Sequence, residues 1–153
     1  MRTTNYLLLS LLLALSVWAC RASDTLSGSY VLVAIEAQDL PASVPNTRFQ
    51  VSNGSLGLSD DGSFVLSYGA NLSGSVWGSF MTVVKGSYDL QNGQAIEFES
   101  SEQTVDGSPV EADHSFIGTV QGDSLTLTDP NNVDWMFRKV QPQQLDEQAE
   151  VER

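Results

Sequence analysis

Apolar and polar residues alternate along most of this chain with a period of two. Ile96 and Phe98, for example, alternate with Glu97 and Glu99. Such short runs recur between residues 27 and 140, separated by Gly, Asn, Asp and Pro, whereas a helical period of 3.6 residues is almost absent. The pattern therefore predicts an all-β protein.

The spacing of these runs predicts how the strands connect. Residues 60–62, 92–93 and 122–123 are short Asp/Asn/Gly turns of the kind that join antiparallel hairpins. About eight strands that follow one another in hairpins form a meander, and a meander loses its exposed edges when it closes. We predict an up-and-down antiparallel β-barrel over residues 27–140, with a polar loop at residues 102–113. The strands are expected around residues 30–36, 56–58, 64–68, 80–90, 96–98, 116–120, 125–127 and 133–137.

The alternation also predicts which side chains point into the barrel. An interior of this size is either filled by side chains or wide enough for one small ligand, and the sequence leaves both interpretations open. The expected inward face is apolar or aromatic throughout: Leu56, Leu58, Phe64, Leu66, Tyr68, Phe80, Tyr88, Phe98, Phe116, Leu127, Trp135 and Phe137. If a ligand pocket exists, we expect six aromatic rings around it: Phe64, Tyr68, Tyr88, Phe98, Phe116 and Trp135.

The N-terminal residues are typical of an export signal. Arg2 precedes the apolar run Leu7–Ser16, which is too short to cross a hydrocarbon core of roughly 30 Å as a helix. A basic start, a short apolar middle and small residues before the cleavage point describe a secretory signal peptide. We predict a signal peptide at residues 1–19 and a linker at 20–26.

The chain's only cysteine lies where this signal would end. Leu15–Cys20 resembles the cleavage box of bacterial lipoproteins, in which the cysteine becomes lipidated. The resemblance implies a lipid anchor at Cys20, and Arg21 as the next residue implies sorting to the outer membrane of the cell envelope. Ordinary signal peptidase would cut the same bond and leave Cys20 unlipidated.

Composition narrows the possible functions. The 153 residues include 19 acidic and 7 basic side chains, for a net charge of -12, with one Cys and one His. An internal disulfide and a Cys/His zinc cluster are excluded, and nucleic acid is not an expected partner because its phosphates would be repelled. An acidic exported domain can instead attract a basic protein partner. Residues 141–153 are rich in Gln and Glu and are expected to be a disordered acidic tail.

No residue pattern indicates catalysis. His114 stands alone between Asp and Ser and is interpreted as a loop residue rather than a general base. Residues 129–134 place oxygen ligands at alternate positions but lack the glycine and distal glutamate of a calcium loop, so a tight turn is expected there. We therefore predict that the protein is not an enzyme and uses no metal or cofactor.

The turns and strand starts resemble those of bacterial lipocalin-like domains. The similar segments are Gly28–Ile35, Gly54–Phe64, Gly86–Tyr88 and Gly118–Lys139, so the resemblance covers nearly all of the mature chain. It implies a barrel that binds a small hydrophobic ligand at a membrane. Classical lipocalins carry a Trp on the first strand and an Arg on the last that packs over it, and here Tyr30 and Arg138 are at the matching positions.

Overall fold

A computed structural model describes residues 26–72, 78–91, 95–112 and 115–141. This part of the chain contains no helix and therefore none long and apolar enough to cross a membrane. Its strands are β1 (Gly28–Ile35), β2 (Gln38–Asp39), β3 (Ala42–Ser43), β4 (Phe49–Leu58), β5 (Ser63–Leu72), β6 (Ser79–Gln91), β7 (Ala95–Val105), β8 (Ser108–Val110), β9 (Ser115–Gln121), β10 (Ser124–Thr128) and β11 (Asp134–Lys139).

Several predictions concern residues outside these ranges. The signal peptide, Cys20 and most of the linker precede residue 26. The turn at residues 92–93, His114 and the tail beyond residue 141 also lie outside the described residues. They remain predictions.

Eight of the strands close into a ring, as the sequence predicted. The order around the ring is β1-β4-β5-β6-β7-β9-β10-β11, with antiparallel pairing throughout, and β1 closes it by pairing with both β11 and β4. At the closure Tyr30 is opposite Leu56 on one side and Lys139 on the other. The short strands β2, β3 and β8 are attached outside the ring. The lipocalin-like up-and-down barrel is thus confirmed.

The predicted facing of side chains also holds. Phe98 is fully buried, with Tyr88 and Phe116 opposite it on the two neighbouring strands. Glu97 and Glu99 are exposed on the outer face. A shift of one residue would reverse this arrangement, so the apolar alternation fixes the strand register.

The two ends of the barrel differ. The first residue of the ring, Gly28, and the last, Lys139, lie at the same end of the barrel as the β4–β5, β6–β7 and β9–β10 junctions. The barrel half at this end is called the closed half. It is filled by large side chains, chiefly Phe64, Phe98 and Phe137. The longer connections lie at the opposite end, and the barrel half next to them is called the open half below.

One prediction about the strands is wrong. Residues 102–113 were expected to form a loop, but β7 continues to Val105 and β8 folds back against it. Gln103 and Val105 point inward from this extension. The reason is that backbone pairing prolongs the hairpin, and polar side chains on its outer surface do not interrupt the hydrogen bonds. β4 and β5 likewise extend further toward the open half than the apolar runs indicated.

The cation near Tyr30 is also not the one expected. Lys139 Nζ lies 5.8 Å from the centre of the Tyr30 ring. Arg138, which the resemblance placed there, is opposite Val31 and exposed on the outer face. Side chains alternate between the two faces of a strand, so the residue that shares a face with Tyr30 is its direct partner Lys139.

Candidate ligand-binding cavity

The open half contains a cavity of about 580 Å³. This volume is within the usual range for small-molecule sites. Every ring strand except β1 contributes a side chain to the wall. The lining residues are Val44, Phe49, Val51, Leu66, Tyr68, Ala70, Leu72, Phe80, Thr82, Val84, Gln103, Val105, Phe116, Leu127, Asp129, Pro130, Asn131 and Trp135.

Most of this wall is apolar, and five of its described residues carry aromatic rings. Tyr68 and Trp135 lie with their ring centres 5.1 Å apart, although their strands are not neighbours in the ring. Phe49 and Phe80 meet edge to face at 5.2 Å. Phe49 is 39% exposed and Leu72 is 37% exposed, so the apolar wall continues to the mouth. Such a surface suits an apolar ligand that enters from this end.

Three neighbouring strands place polar side chains in this apolar wall. Tyr68 on β5 is opposite Thr82 on β6, and the two hydroxyl groups share a hydrogen bond. Gln103 on β7 is opposite Val84, one inward position along β6 from Thr82. Thr82 is 1% exposed and is the one polar residue among the fully buried side chains of the described chain. The strand register thus brings a hydroxyl pair and a carboxamide to one side of the cavity.

Gln103 contributes an unpaired acceptor. Its Oε1 atom is buried and has no hydrogen-bond partner among the described residues. A buried acceptor without a partner costs roughly 1–3 kcal/mol. A ligand that donates a hydrogen bond to this atom would remove the cost.

Asp129 forms the turn between β10 and β11 at the edge of the cavity. Its Oδ1 atom accepts hydrogen bonds from the backbone N–H of Asn131 at 2.8 Å and of Val133 at 3.1 Å. Its Oδ2 atom accepts one from Trp135 Nε1 at 3.4 Å. The carboxylate therefore holds the turn and orients the indole ring, which agrees with the tight turn predicted for residues 129–134.

The environment of Tyr68 perturbs its ionisation. Burial is the main cause that raises the pKa of the Tyr68 hydroxyl above its ordinary value of 10.0, and the Asp129 carboxylate raises it further, against the hydrogen bond from Thr82. Because desolvation disfavours the charged form, the phenol stays neutral in the cavity wall at physiological pH.

The structure divides the six rings predicted to surround a pocket into two groups. Tyr68, Phe116 and Trp135 line the cavity. The other three, Phe64, Tyr88 and Phe98, do not line it and pack together in the closed half. There Phe64 and Phe98 meet edge to face at 5.2 Å, Tyr88 and Phe98 are 5.9 Å apart, and the Tyr88 hydroxyl donates to the Ser59 carbonyl at 2.6 Å.

Sequence reasoning missed several lining residues. Thr82 lies between Phe80 and Val84 with a period of two, so alternation alone could have placed it inward. Gln103 and Val105 show the same spacing, but their polar surroundings led to the prediction of a loop. Phe49 and Val51 also alternate, but the small and polar residues 52–55 separate them from Leu56, so this run was not recognised as the start of β4.

Comparison with protein-family models and with curated proteins finds no match to this chain. In the described parts of the chain, no group of three or more His, Cys, Asp or Glu side chains could hold a metal ion. The cavity itself is therefore the basis for a proposed function.

Proposed function

We propose that this protein is an exported lipoprotein of the bacterial envelope whose lipocalin-like barrel binds one small apolar ligand in its open half. The observation that carries the proposal is the cavity of about 580 Å³ with its largely apolar, aromatic wall. Burial of an apolar ligand is favourable by roughly 25 cal/mol per Å² removed from water. A wall of this kind can supply that energy without any cofactor.

The lining favours binding over catalysis. Asp129, the one carboxylate among the described lining residues, is engaged by the turn and by the Trp135 indole. The Tyr68 phenol is bonded to Thr82 and is harder to deprotonate than usual. The carboxylate is committed to the turn and the phenol gives up its proton less readily than usual, so neither group is arranged as a general base.

The position of the first strand determines which end of the barrel the proposed anchor would hold near the membrane. β1 begins at Gly28 in the closed half, where Gly28 is opposite Leu58 and close to the Lys139 side chain. Leu26 packs against the core beside Tyr30 at this end. The six residues from Cys20 to Leu26 reach at most about 22 Å, so a lipid on Cys20 would hold the closed half toward the membrane. The mouth of the cavity would face away from that membrane.

Ligand binding can be tested by filling the cavity. Ala70 lines the cavity between Val51 and Phe80. We expect Ala70→Phe to lower the affinity for the neutral fluorescent probe N-phenylnaphthylamine at least about tenfold. Val65→Phe is the matched control, because Val65 lies on the same strand but is 45% exposed outside. Equal affinities of the two variants, or no saturable binding by the wild type, would contradict the proposal.

The natural ligand can be sought by native mass spectrometry of the full protein extracted gently from its host's envelope. An added mass of a few hundred daltons that organic solvent removes is the expected result. The anchor is tested separately with Cys20→Ala, which should release the protein from membranes. A variant that still required detergent for extraction would show that Cys20 is not the anchor.

A second candidate function uses the outer surface. Asp89 and Glu97 are exposed and directly opposite each other on β6 and β7, and Glu99 follows on the same face. Like charges directly opposite each other destabilise a sheet, and a basic partner protein would relieve the repulsion. Such a complex should weaken steeply with added salt, whereas binding of a neutral ligand in the cavity should not.

A further inference from the structure

Among the described residues that line the cavity, Asp129 is the one acidic side chain, and none is basic. The four basic residues of the described chain are not among the lining residues. Arg48 directly precedes the mouth residue Phe49, Lys85 is paired with Glu102 at 3.2 Å on the outer face, and Arg138 and Lys139 end β11 in the closed half. No cation in this part of the chain therefore meets a ligand inside the cavity.

An anionic head group would be poorly accommodated in this wall. A carboxylate that left water would need a cation or several hydrogen-bond donors. It would instead meet the Asp129 carboxylate and the unpaired Gln103 Oε1, which is itself an acceptor. The Tyr68 and Thr82 hydroxyls already share a hydrogen bond, so the pair has one O–H left to offer, fewer than the several donors that a desolvated carboxylate needs. Repulsion and unmet desolvation would both oppose an anion.

A head group that donates hydrogen bonds fits the same atoms. A hydroxyl or an ammonium can donate to Gln103 Oε1 and so satisfy the buried acceptor. A positive charge would also gain from Asp129, whose carboxylate oxygens lie at the cavity edge. The alkyl part of the ligand would lie against the rings of Phe49, Phe80 and Trp135.

We infer that the cavity selects neutral or cationic amphiphiles whose head donates hydrogen bonds, and discriminates against alkyl carboxylates such as free fatty acids. The inference rests on the proposed ligand-binding function and names the chemical class of the ligand. The inference depends on two acceptors in one cavity wall, Gln103 Oε1 and the Asp129 carboxylate, to which the described lining residues add no cation.

The test is displacement of N-phenylnaphthylamine by three ligands of equal chain length: dodecanol, dodecylammonium and dodecanoate, each below its micelle concentration. We expect dodecanoate to bind at least about tenfold more weakly than dodecanol, and dodecylammonium to bind as tightly as dodecanol or more tightly. Equal or tighter binding of dodecanoate would overturn the inference while leaving ligand binding itself in place. Failure of all three, and of the probe, would instead remove the proposed function.

Variants of the two deciding residues sharpen the test. Gln103→Lys places a cation at the acceptor position and should reverse the preference in favour of dodecanoate. Gln103→Leu removes the acceptor and should weaken dodecanol about fivefold with dodecanoate unchanged, which keeps the test open if the lysine variant does not fold. A preference that persists unchanged in both variants would contradict the role of Gln103.

Charge controls separate the cavity from the acidic exterior. Asp129→Asn keeps an acceptor oxygen for the turn and should narrow the gap between dodecylammonium and dodecanoate. Glu97→Gln makes the same change of charge on the outer face and should leave the gap as it is. If the two variants act equally, general attraction to an acidic protein explains the preference. Loss of dodecanoate binding in Arg48→Gln would show that a cation at the mouth receives carboxylates, which also overturns the inference.

Discussion

The closed and open halves of this barrel have the same strand alternation but opposite interiors. In the closed half the inward positions carry Phe64, Phe98 and Phe137, each at most 1% exposed. In the open half the inward positions include Ala70, at the other end of the strand that carries Phe64, and Thr82 on β6, which are nearly as buried but much smaller. One half is therefore packed by its own side chains, and the other half leaves a cavity.

The difference shows that the choice between a filled barrel and a hollow one is made locally, by side-chain volume. In the closed half two glycines make room for rings. A Cβ on Gly86 would overlap the Glu99 carbonyl, and one on Gly118 would lie 2.9 Å from the Phe98 ring. Protein interiors are usually packed about as densely as organic crystals. The closed half reaches this packing with its aromatic rings, whereas the smaller side chains of the open half do not fill the space.

The largest expected effect comes from removing the space that Gly86 provides. Gly86→Ala would push a methyl group into the Glu99 carbonyl and against the Phe64 ring, at the point where the β6–β7 register shifts. We expect a loss of more than about 4 kcal/mol in the free energy of unfolding, or no folded protein. Urea denaturation followed by circular dichroism measures it. The control Gly57→Ala has its nearest neighbour 3.9 Å away and should be close to neutral; an equally stable Gly86→Ala variant would refute the close packing.

Truncation of one ring in each half compares the two interiors directly. Phe98→Ala leaves a hole in a fully packed cluster and should cost about 3–5 kcal/mol. Phe80→Ala removes a half-buried ring that already borders the cavity and should cost about 1 kcal/mol. Denaturant titration of both variants gives the comparison. Similar costs at the two positions would mean that the open half is packed in solution.

The sequence was sufficient to predict the barrel because alternation and turn residues act locally. It predicted that Phe98 points inward and Glu97 outward, and both do. It was not sufficient to predict the cavity, because a void depends on the sum of volumes contributed by strands far apart in the chain. Trp135 and Tyr68 meet across the lumen although they are distant in sequence, and nothing in either segment alone indicates that contact.

The polar residues of the cavity wall could not be predicted from the sequence either. Gln103 lies in a segment so polar that a loop was expected, and only its pairing with Val84 in β6 turns it inward. Its significance comes from an unpaired buried oxygen, which is a property of the assembled wall. The prediction of six pocket rings mixed the two halves for a related reason: alternation specifies the face of a strand but not the end of the barrel.

Adding a ring to each half tests the space available. Ile96 is fully buried in the closed half, and Ile96→Phe should cost about 1–3 kcal/mol because it overpacks a filled core. Ala70→Phe puts a larger addition into the cavity and should change the free energy of unfolding by less than about 1 kcal/mol. The reverse order of costs, measured by thermal or denaturant unfolding, would contradict the assignment of filled and hollow halves.

The smallest expected effect concerns the ionisation of one tyrosine in each half, Tyr68 in the open half and Tyr88 in the closed half. Burial is the main cause that raises the pKa of both Tyr68 and Tyr88, and at Tyr88 the carboxylates of Asp60 and Asp61 add to it. The unfolded chain ionises its tyrosines near pH 10, before the folded protein does. The stability contributed by keeping these phenols neutral is therefore complete below pH 10 and is lost as the pH rises toward the folded-state pKa values.

We expect the free energy of unfolding to fall above pH 10 in the wild type and to fall less steeply in Tyr68→Phe. Salt should separate the two sites, because it screens the influence of exposed carboxylates but not burial. Added salt should therefore lower the pKa of Tyr88 toward its ordinary value and change that of Tyr68 much less. Tyrosinate absorbance titrations of Tyr68→Phe and Tyr88→Phe at two salt concentrations measure this. Equal salt sensitivity at both sites would mean that Tyr68 is solvated, and that the wall around it is wetter than its burial indicates.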